Sequence, residues 1–399
     1  MNGPINCEPT ELLDGELFEE LVAIRRDLHR HPELSWNERR TGARVCEYLD
    51  RYGIPYRTGV AQTGIVADLP GLNDRPVIAL RADLDALPVV EETGLPFASE
   101  VPGVMHACGH DGHTSMLLGA AALLSRDSRR PFPVRMIFQP GEETGRGALA
   151  MVEAGVLDDV GVIFGGHVDR HYPVGSIVVT EGVVNASSDR FVISISGQGG
   201  HAARPHEAVD AVVVGSLMVM AIQTIVSREV NPAHPSVVTI GRFDAGTAAN
   251  VIAGQAKLEG TIRAQDEHVR RHLKKAIARI AESVGQLHEA HVEVEFREGS
   301  PSLCNQPPAT ELARQAAIET VGAPCVLKMK TANMGGEDFA YYLEHVRGCY
   351  VRFGSTRPGE AAFPAHSSRF DFDERVLAVG AAFFHRVAWT AMREFQSRA

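Results

Sequence analysis

Between Glu16 and Arg30, Leu17, Leu21, Ile24 and Leu28 recur at three- and four-residue spacing among charged positions. That period predicts an amphipathic helix. His31-Pro32 ends it, because the residue before proline is pushed out of helical geometry. A second helix is expected from about Asn37 to Tyr52, with Gly53 as a left-handed cap. Short apolar runs then alternate with helical patterns. Gly64–Leu69, Pro76–Ala82, Val134–Gln139 and Val160–Gly165 read as strands, and Asp111–Ser125 and Arg146–Ala154 as helices. This alternation predicts an α/β domain with a mostly parallel sheet covered by helices.

The middle of the chain has another rhythm. Arg190–Gly197 alternates Phe191, Ile193 and Ile195 with polar neighbours, as a half-exposed strand does. A helix from Glu207 to about Glu229, strands at Val237–Phe243 and Ala256–Arg263, a helix at Glu267–Leu287 and a strand at His291–Arg297 follow. The β-α-β-β-α-β order is the ferredoxin-like pattern. An inserted α+β domain is therefore expected over 186–300, within a larger domain made of 1–185 and 301–399. The larger one ends in a helix over Glu374–Phe395.

Composition narrows the class. A chain of 399 residues with 44% hydrophobic and 22% charged positions is globular and long enough for two domains. The net charge of -11, without a basic block, argues against a nucleic-acid partner. Met1–Leu17 lacks a basic segment followed by an apolar run, and no stretch approaches the roughly 20 apolar residues of a bilayer span. The cysteines at 7, 46, 108, 304, 325 and 349 lack the paired spacing of a zinc ribbon. These features predict a reduced, cytoplasmic protein that neither enters nor binds a membrane.

Five places carry candidate chemistry. His106-Ala-Cys-Gly-His-Asp-Gly-His113 packs three histidines, a cysteine and an aspartate before a helix, a donor set suited to a transition metal. Cys108 and His110, two apart on an extended segment, would share one site. Asp111 and His113 read equally well as a helix cap and its neighbour. Glu142 and Glu143, in Gln139-Pro-Gly-Glu-Glu-Thr144, follow a strand at the end where α/β folds place active sites. Adjacent side chains diverge, so one can bind a metal while the other holds a water, although acidic pairs also occur on solvated loops. His167 and His366, taken alone, read equally as structural or exposed histidines. Asp83 and Asp85 alternate at the end of a strand and share a face.

Together these residues resemble the aminoacylase/carboxypeptidase family of di-metal hydrolases. The nearest branch holds hippurate hydrolases, N-acyl-L-amino acid amidohydrolases and auxin-conjugate hydrolases. The similarity runs from Arg26-Asp-Leu-His-Arg-His-Pro-Glu33 through Arg81–Pro88, His106–His113 and Gln139–Glu143 to His366. It implies two divalent ions per subunit (zinc, manganese, cobalt or nickel) held by Cys108, His110, Glu143, His167 and His366. It further implies Glu142 as general base toward a metal-activated water, with Asp85 orienting a ligand or the base from behind. The glycine-rich segment Gly197–His206 resembles the family's lid, where His201 would reach across a homodimer interface. Asn250 and Arg263 would bind the substrate carboxylate.

The implied reaction is hydrolysis of an N-acyl L-amino acid or short peptide to a carboxylate and a free amino acid. A metallo-carboxypeptidase or dipeptidase shares that chemistry with a longer substrate. A cysteine hydrolase built on Cys108 would leave Glu142, Glu143 and His366 without a function. An inactive scaffold would have lost a ligand or the base. Gly335-Gly-Glu-Asp338-Phe-Ala-Tyr-Tyr342 also matches a family segment, without firm roles. The charged residues Arg146, Asp169, Arg170 and His171 depart from the branch pattern and bear on what the cleft accepts.

Overall fold

The computed structural model describes residues 9–357, 359 and 363–398. Expectations placed on 1–8, Cys7 among them, and on Ala399 lie outside the described residues.

Asp14 accepts a hydrogen bond from the Leu17 N–H at 2.8 Å and so caps α1 (Gly15–Arg30), which buries Leu17, Leu21 and Leu28. After α2 (Arg39–Arg51), Gly53 takes φ +61°, and the chain enters the hairpin β1 (Tyr56–Val60) and β2 (Gly64–Leu69). The sequence gives no hint of β1, because most of its residues are exposed and no apolar run marks it. There follow β3 (Val77–Asp83), α3 (His110–Ser125), β4 (Val134–Gln139), α4 (Gly147–Glu153), β5 (Val160–Pro173) and the short β6 (Ile177–Val178) and β7 (Gly182–Asn185). β5 does not stop at Gly165 as its pattern suggested. A Cβ at Gly165 would lie 2.7 Å from the Phe339 ring, and one at Gly166 2.6 Å from Phe353. Here the glycines admit close packing inside a strand instead of ending it.

The chain continues with β8 (Ser187–Ser196), β9 (Gly200–His201), α5 (Ala211–Thr224), β10 (Ser236–Ala245), β11 (Val251–Ile252), β12 (Gln255–Ala264), α6 (Glu267–Leu287) and β13 (His291–Arg297). It ends with β14 (Leu303–Asn305), α7 (Pro307–Val321), β15 (Val326–Leu327), α8 (Ala340–Leu343), β16 (Gly348–Thr356) and α9 (Val376–Arg398).

Two compact units result. The first runs to Gly182 and takes up the chain again over Cys304–Lys330 and from Asp338 onward; the second comprises Val183–Leu303 and Thr331–Glu337. In the first, an eight-stranded sheet has the order β1-β2-β4-β3-β5-β16-β6-β15. Its centre, β4-β3-β5-β16, is parallel, so the ends of these strands lie along one edge. α3 is buried on all sides, as a helix enclosed by its neighbours must be. Its Gly119 meets Leu21 of α1 and Ala381 of α9.

The second unit has the sheet order β10-β12-β8-β13, with every pair antiparallel. That is the ferredoxin-like arrangement. Phe191, Ile193 and Ile195 of β8 form one core with Val214, Met218 and Ile222 of α5 and Leu273 and Ile277 of α6. The helix expected from Glu207 begins only at Ala211, because the Asp210 carboxylate caps it through the N–H groups of Val212 and Val213. Beyond the expected boundary at 301, Thr331–Glu337 returns to this unit, where the Met334 carbonyl accepts from Arg263 Nη1 at 3.3 Å.

One expectation is corrected. Ala211–Glu229, which is α5 with a π-helical last turn, is long and apolar enough to cross a membrane, with a mean hydropathy of 1.7. One of its faces is committed to the core of this unit, which explains part of that apolar content.

Candidate metal centre

The sheet edge gathers the candidate residues. Asp83 ends β3, Gln139 ends β4 and pairs with it, and His167 lies in β5 beside Arg352 of β16. Cys108 and His110 are not on an extended segment. Gly109 takes φ +89° as the cap of α3, and His110 is the first residue of that helix. The left-handed glycine does what the extended geometry was expected to do, turning both side chains to one place. A Cβ there would lie 2.4 Å from Val168, so only glycine fits.

All five expected ligands converge. Cys108, His110 and His167 form one group with ligand atoms within 4.8 Å of one another, and Cys108, Glu143 and His366 form a second. Cys108 belongs to both. Its Sγ is 3.3 Å from His167 Nε2, and His366 Nε2 is 3.4 Å from Glu143 Oε2. His110 Nε2 lies 3.9 Å from Glu143 and 4.0 Å from Glu142. His366 sits in a turn at φ +68°, its N–H donating to the Ala107 carbonyl at 2.7 Å.

Hydrogen bonds from behind fix which ring nitrogens face inward. His110 Nδ1 donates to the Asp85 carbonyl at 2.9 Å and lies 3.2 Å from its Oδ1. His167 Nδ1 donates to the Val168 carbonyl at 2.7 Å. Both Nε2 atoms are thereby left as acceptors toward the centre. Asp85 also takes the Ser35 hydroxyl at 2.7 Å and the Glu143 N–H at 3.0 Å.

His110 Nε2 and Glu143 Oε1 are buried without a hydrogen-bond partner. Buried polar atoms are nearly always satisfied, and cations held by the two groups would satisfy both atoms. The donor set of thiolate, imidazole and carboxylate suits a borderline transition metal. The residues fit the group that the sequence implies.

Without an ion the electrostatics are unbalanced. Burial opposes a charge on His110, but Asp83, Asp85 and Cys108 outweigh it and hold the ring well above the usual histidine range. Burial, reinforced by Glu143, pushes the Cys108 thiol well up. Burial, with His113 and Arg352 adding to it, holds His167 well below its usual value.

His113 and Asp111 of the histidine-rich segment are bonded within the fold. His113 Nδ1 donates to Asp83 Oδ1 at 2.7 Å while its Nε2 accepts the Val168 N–H at 3.0 Å, which ties α3 to β3 and β5. Asp111 does not cap α3. It accepts from Arg25 Nε and His29 Nδ1, each at 2.9 Å. Burial brings His106 down to about 4, so it is neutral.

Sequence reasoning passed over Arg25, Glu38 and Asp338 as functional supports. Arg25 did carry a signal, since it is a charge on the apolar stripe of α1, and it is fully buried against Asp111, Asp371 and Glu374. Glu38 and Asp338 carried none, because the groups that tie them to the loop after β4, the N–H groups of Gly141 and Ala148, are distant in sequence.

Of the residues departing from the branch pattern, Arg146 and His171 are exposed, and His171 Nδ1 pairs with Asp169 at 2.7 Å. In the second unit, β9 and β11 pair so that His201 faces Val251, next to Asn250. The Ala203 N–H donates to His201 Nδ1 at 3.0 Å. Arg263 is not brought to this place. It lies at the far end of β12, paired with Ser188, while Gln255 at the near end pairs with Ser196.

A mostly parallel α/β sheet whose edge assembles a thiol, three imidazoles and two carboxylates defines a metallohydrolase type of site. The model for Peptidase family M20/M25/M40 matches residues 79–390, and the chain belongs to this family. It is a hydrolase. The chain is 39% identical over 389 residues to N-acetyl-L-cysteine deacetylase of Bacillus subtilis, covering 97% of this chain and 90% of that one. It is 38% identical over 372 residues to thermostable carboxypeptidase 1 of Saccharolobus solfataricus, covering 92% and 94%. Among solved structures it is similar to the Bacillus subtilis YXEP protein, a dinuclear metal binding peptidase from M20 family, with a TM-score of 0.83, 36% identity and 96% and 99% coverage.

Proposed function

We propose that this protein hydrolyses the amide bond of N-acyl L-amino acids, releasing a carboxylate and a free amino acid. The observation that carries the reading is the convergence of Cys108, His110, Glu143, His167 and His366 around two buried atoms that have no hydrogen-bond partner. Cys108, His110 and His167 would hold one divalent ion, and Cys108, Glu143 and His366 the other. When bound, such ions supply Lewis acidity, making water more acidic and a carbonyl more electrophilic. The thiolate favours zinc, cobalt or nickel over manganese.

Glu142 stands beside this centre, half-buried, on the 3-10 turn Glu142–Thr144. As general base it takes a proton from the attacking water, and it gives that proton to the amine nitrogen as the carbon–nitrogen bond breaks. Asp85 holds the His110 ring and the Glu143 backbone in place.

His201, Asn250 and Arg263 are assigned to the substrate. Eight residues of β12 separate Gln255, beside the His201 hairpin, from Arg263, a distance of roughly 26 Å. Within one unit these groups cannot meet on one small molecule. A homodimer in which one subunit lends His201 and Asn250 and the other Arg263 removes the difficulty. The outer face of α5 supports an association surface, with Val213, Leu217 and Met220 exposed at 47%, 42% and 71%. Cys46, Cys108, Cys304 and Cys349 form no disulfide, in keeping with a cytoplasmic location.

The second reading is a carboxypeptidase, favoured by the similarity to the Saccharolobus solfataricus enzyme. A metal-independent cysteine hydrolase is disfavoured, since burial and Glu143 keep Cys108 as a thiol. The test is amino-acid release from N-acetyl and N-benzoyl amino acids and from dipeptides, before and after chelation, with single divalent ions added back. Activity on the acyl substrates that disappears on chelation and returns with an ion supports the reading. Chelator-resistant turnover overturns it, and turnover of peptides alone selects the carboxypeptidase.

A further inference from the structure

Carboxylates from three distant parts of the sequence hold the loop between β4 and α4, which presents Glu142 and Glu143. Asp85 takes the Glu143 N–H, as described. Glu38, fully buried, accepts the Gly141 N–H at 2.9 Å and the Trp36 N–H at 2.9 Å through Oε1, and the Thr63 hydroxyl at 2.5 Å through Oε2. Asp338, also fully buried, accepts the Ala148 N–H at 2.8 Å just past the loop. It accepts Gln139 Nε2 at 2.9 Å at the start of the loop, and Arg81 Nη2 at 2.9 Å.

Two features set these contacts apart from ordinary packing. None of the three donors to Glu38 is cationic, and a buried carboxylate served by neutral donors is a costly arrangement. Burial accordingly raises its pKa. Trp36 is held at φ +68°, a conformation rare for a bulky residue that persists only where the surroundings impose it. Its indole lies against Gly141, itself at φ +65°, so that a Cβ on Gly141 would fall 2.7 Å from the ring. Backbone strain and a buried charge thus meet one residue before Glu142.

Resting on the reading that Glu142 and Glu143 act on water and metal, we propose that Glu38 and Asp338 are positioning residues for them. Glu38 fixes the entry of the loop through Gly141 and Trp36. Asp338 ties its exit to its start through Ala148 and Gln139. This gives the Gly335–Tyr342 segment a role that its sequence did not disclose.

The chain has two tryptophans, Trp36 and Trp389, so a Trp389→Phe background leaves Trp36 as the sole fluorescent reporter of the loop. In that background, Glu38→Ala, Glu38→Gln and Asp338→Asn are compared for zinc affinity by calorimetry, acrylamide quenching of Trp36, kcat and KM. Glu38→Ala is expected to weaken zinc binding about tenfold and to raise quenching. Its kcat should fall on the order of 100-fold while KM stays within about twofold, as a displaced catalytic group requires. Glu38→Gln, which can still accept from Gly141, recovers most of each. Asp338→Asn lowers zinc affinity and kcat without changing Trp36.

A folded Glu38→Ala protein with unchanged quenching, zinc affinity and kcat overturns the role of Glu38, and the same zinc affinity and kcat in Asp338→Asn overturns that of Asp338. If the parent protein turns over none of the substrates, the reading of its activity fails, while zinc affinity and quenching still decide the positioning roles.

Discussion

Asp85 Oδ1 lies 3.2 Å from Nδ1 of His110, and the Nε2 of that same ring is buried with no hydrogen-bond partner. One nitrogen is therefore committed to Asp85, through its carbonyl and its carboxylate, and the other is aimed at a ligand. That division of a single imidazole is how metal-binding histidines are usually held.

Asp85→Ala should weaken metal binding by about 10- to 100-fold. The His110 ring would lose one of its two anchors and the Glu143 N–H its acceptor. Competition with a chromophoric chelator measures the affinity. Unchanged binding would mean that the Asp85 carbonyl alone orients the ring.

Glu142→Gln should retain its metal and lose about 10²- to 10⁴-fold in kcat, the range for removing a general base. The pairing of metal analysis with steady-state kinetics is needed, because Glu142 Oε2 is only 4.0 Å from His110 Nε2. Loss of the ion together with activity would reassign Glu142 as a ligand.

If His201 reaches the substrate carbonyl oxygen from a partner subunit, His201→Ala should lower kcat by on the order of 10²-fold, the cost of losing one donor to a developing oxyanion, and should leave the proposed dimer intact. Met220→Glu with Leu217→Glu should instead dissociate the proposed dimer and lower activity as a consequence. Light scattering at several concentrations, read beside the kinetics, separates the two effects. A wild-type monomer with full activity would exclude a residue lent by a partner.

Acid should destabilise the second unit through Asp189. Burial raises the pKa of this carboxylate, but Arg270 and Lys274 outweigh it and hold it below the ordinary 3.8. Arg270 approaches both its oxygens at 2.7 Å. A depressed carboxyl pKa contributes stability that is fully present above the ordinary value and is lost as pH falls through the lowered one. Asp189→Asn should therefore cost about 3–5 kcal/mol at pH 7, the range for breaking a buried pair, and the difference should shrink below about pH 4. Denaturant titrations of both proteins at steps from pH 7 down to pH 2 measure it; a gap that does not narrow at all below about pH 4 would place the effect in packing.

What could be read from the sequence was what repeats or clusters locally. The spacing of Leu17, Leu21 and Leu28 determined α1, and the alternation of Phe191, Ile193 and Ile195 determined β8, because side-chain period follows backbone geometry. The metal centre was legible in kind through the density of donors from His106 to His113. Tertiary structure decided the rest. Nothing near His366 in sequence shows that it reaches Glu143. Glu38 and Asp338 look like surface acids until the fold brings Gly141 and Ala148 to them. β5 outruns its apolar run because Phe339, Tyr350 and Phe353, far along the chain, fill the space above its glycines. Local periodicity records which face of an element is buried, whereas the partner that buries it, or bonds to it, is chosen only when distant segments meet.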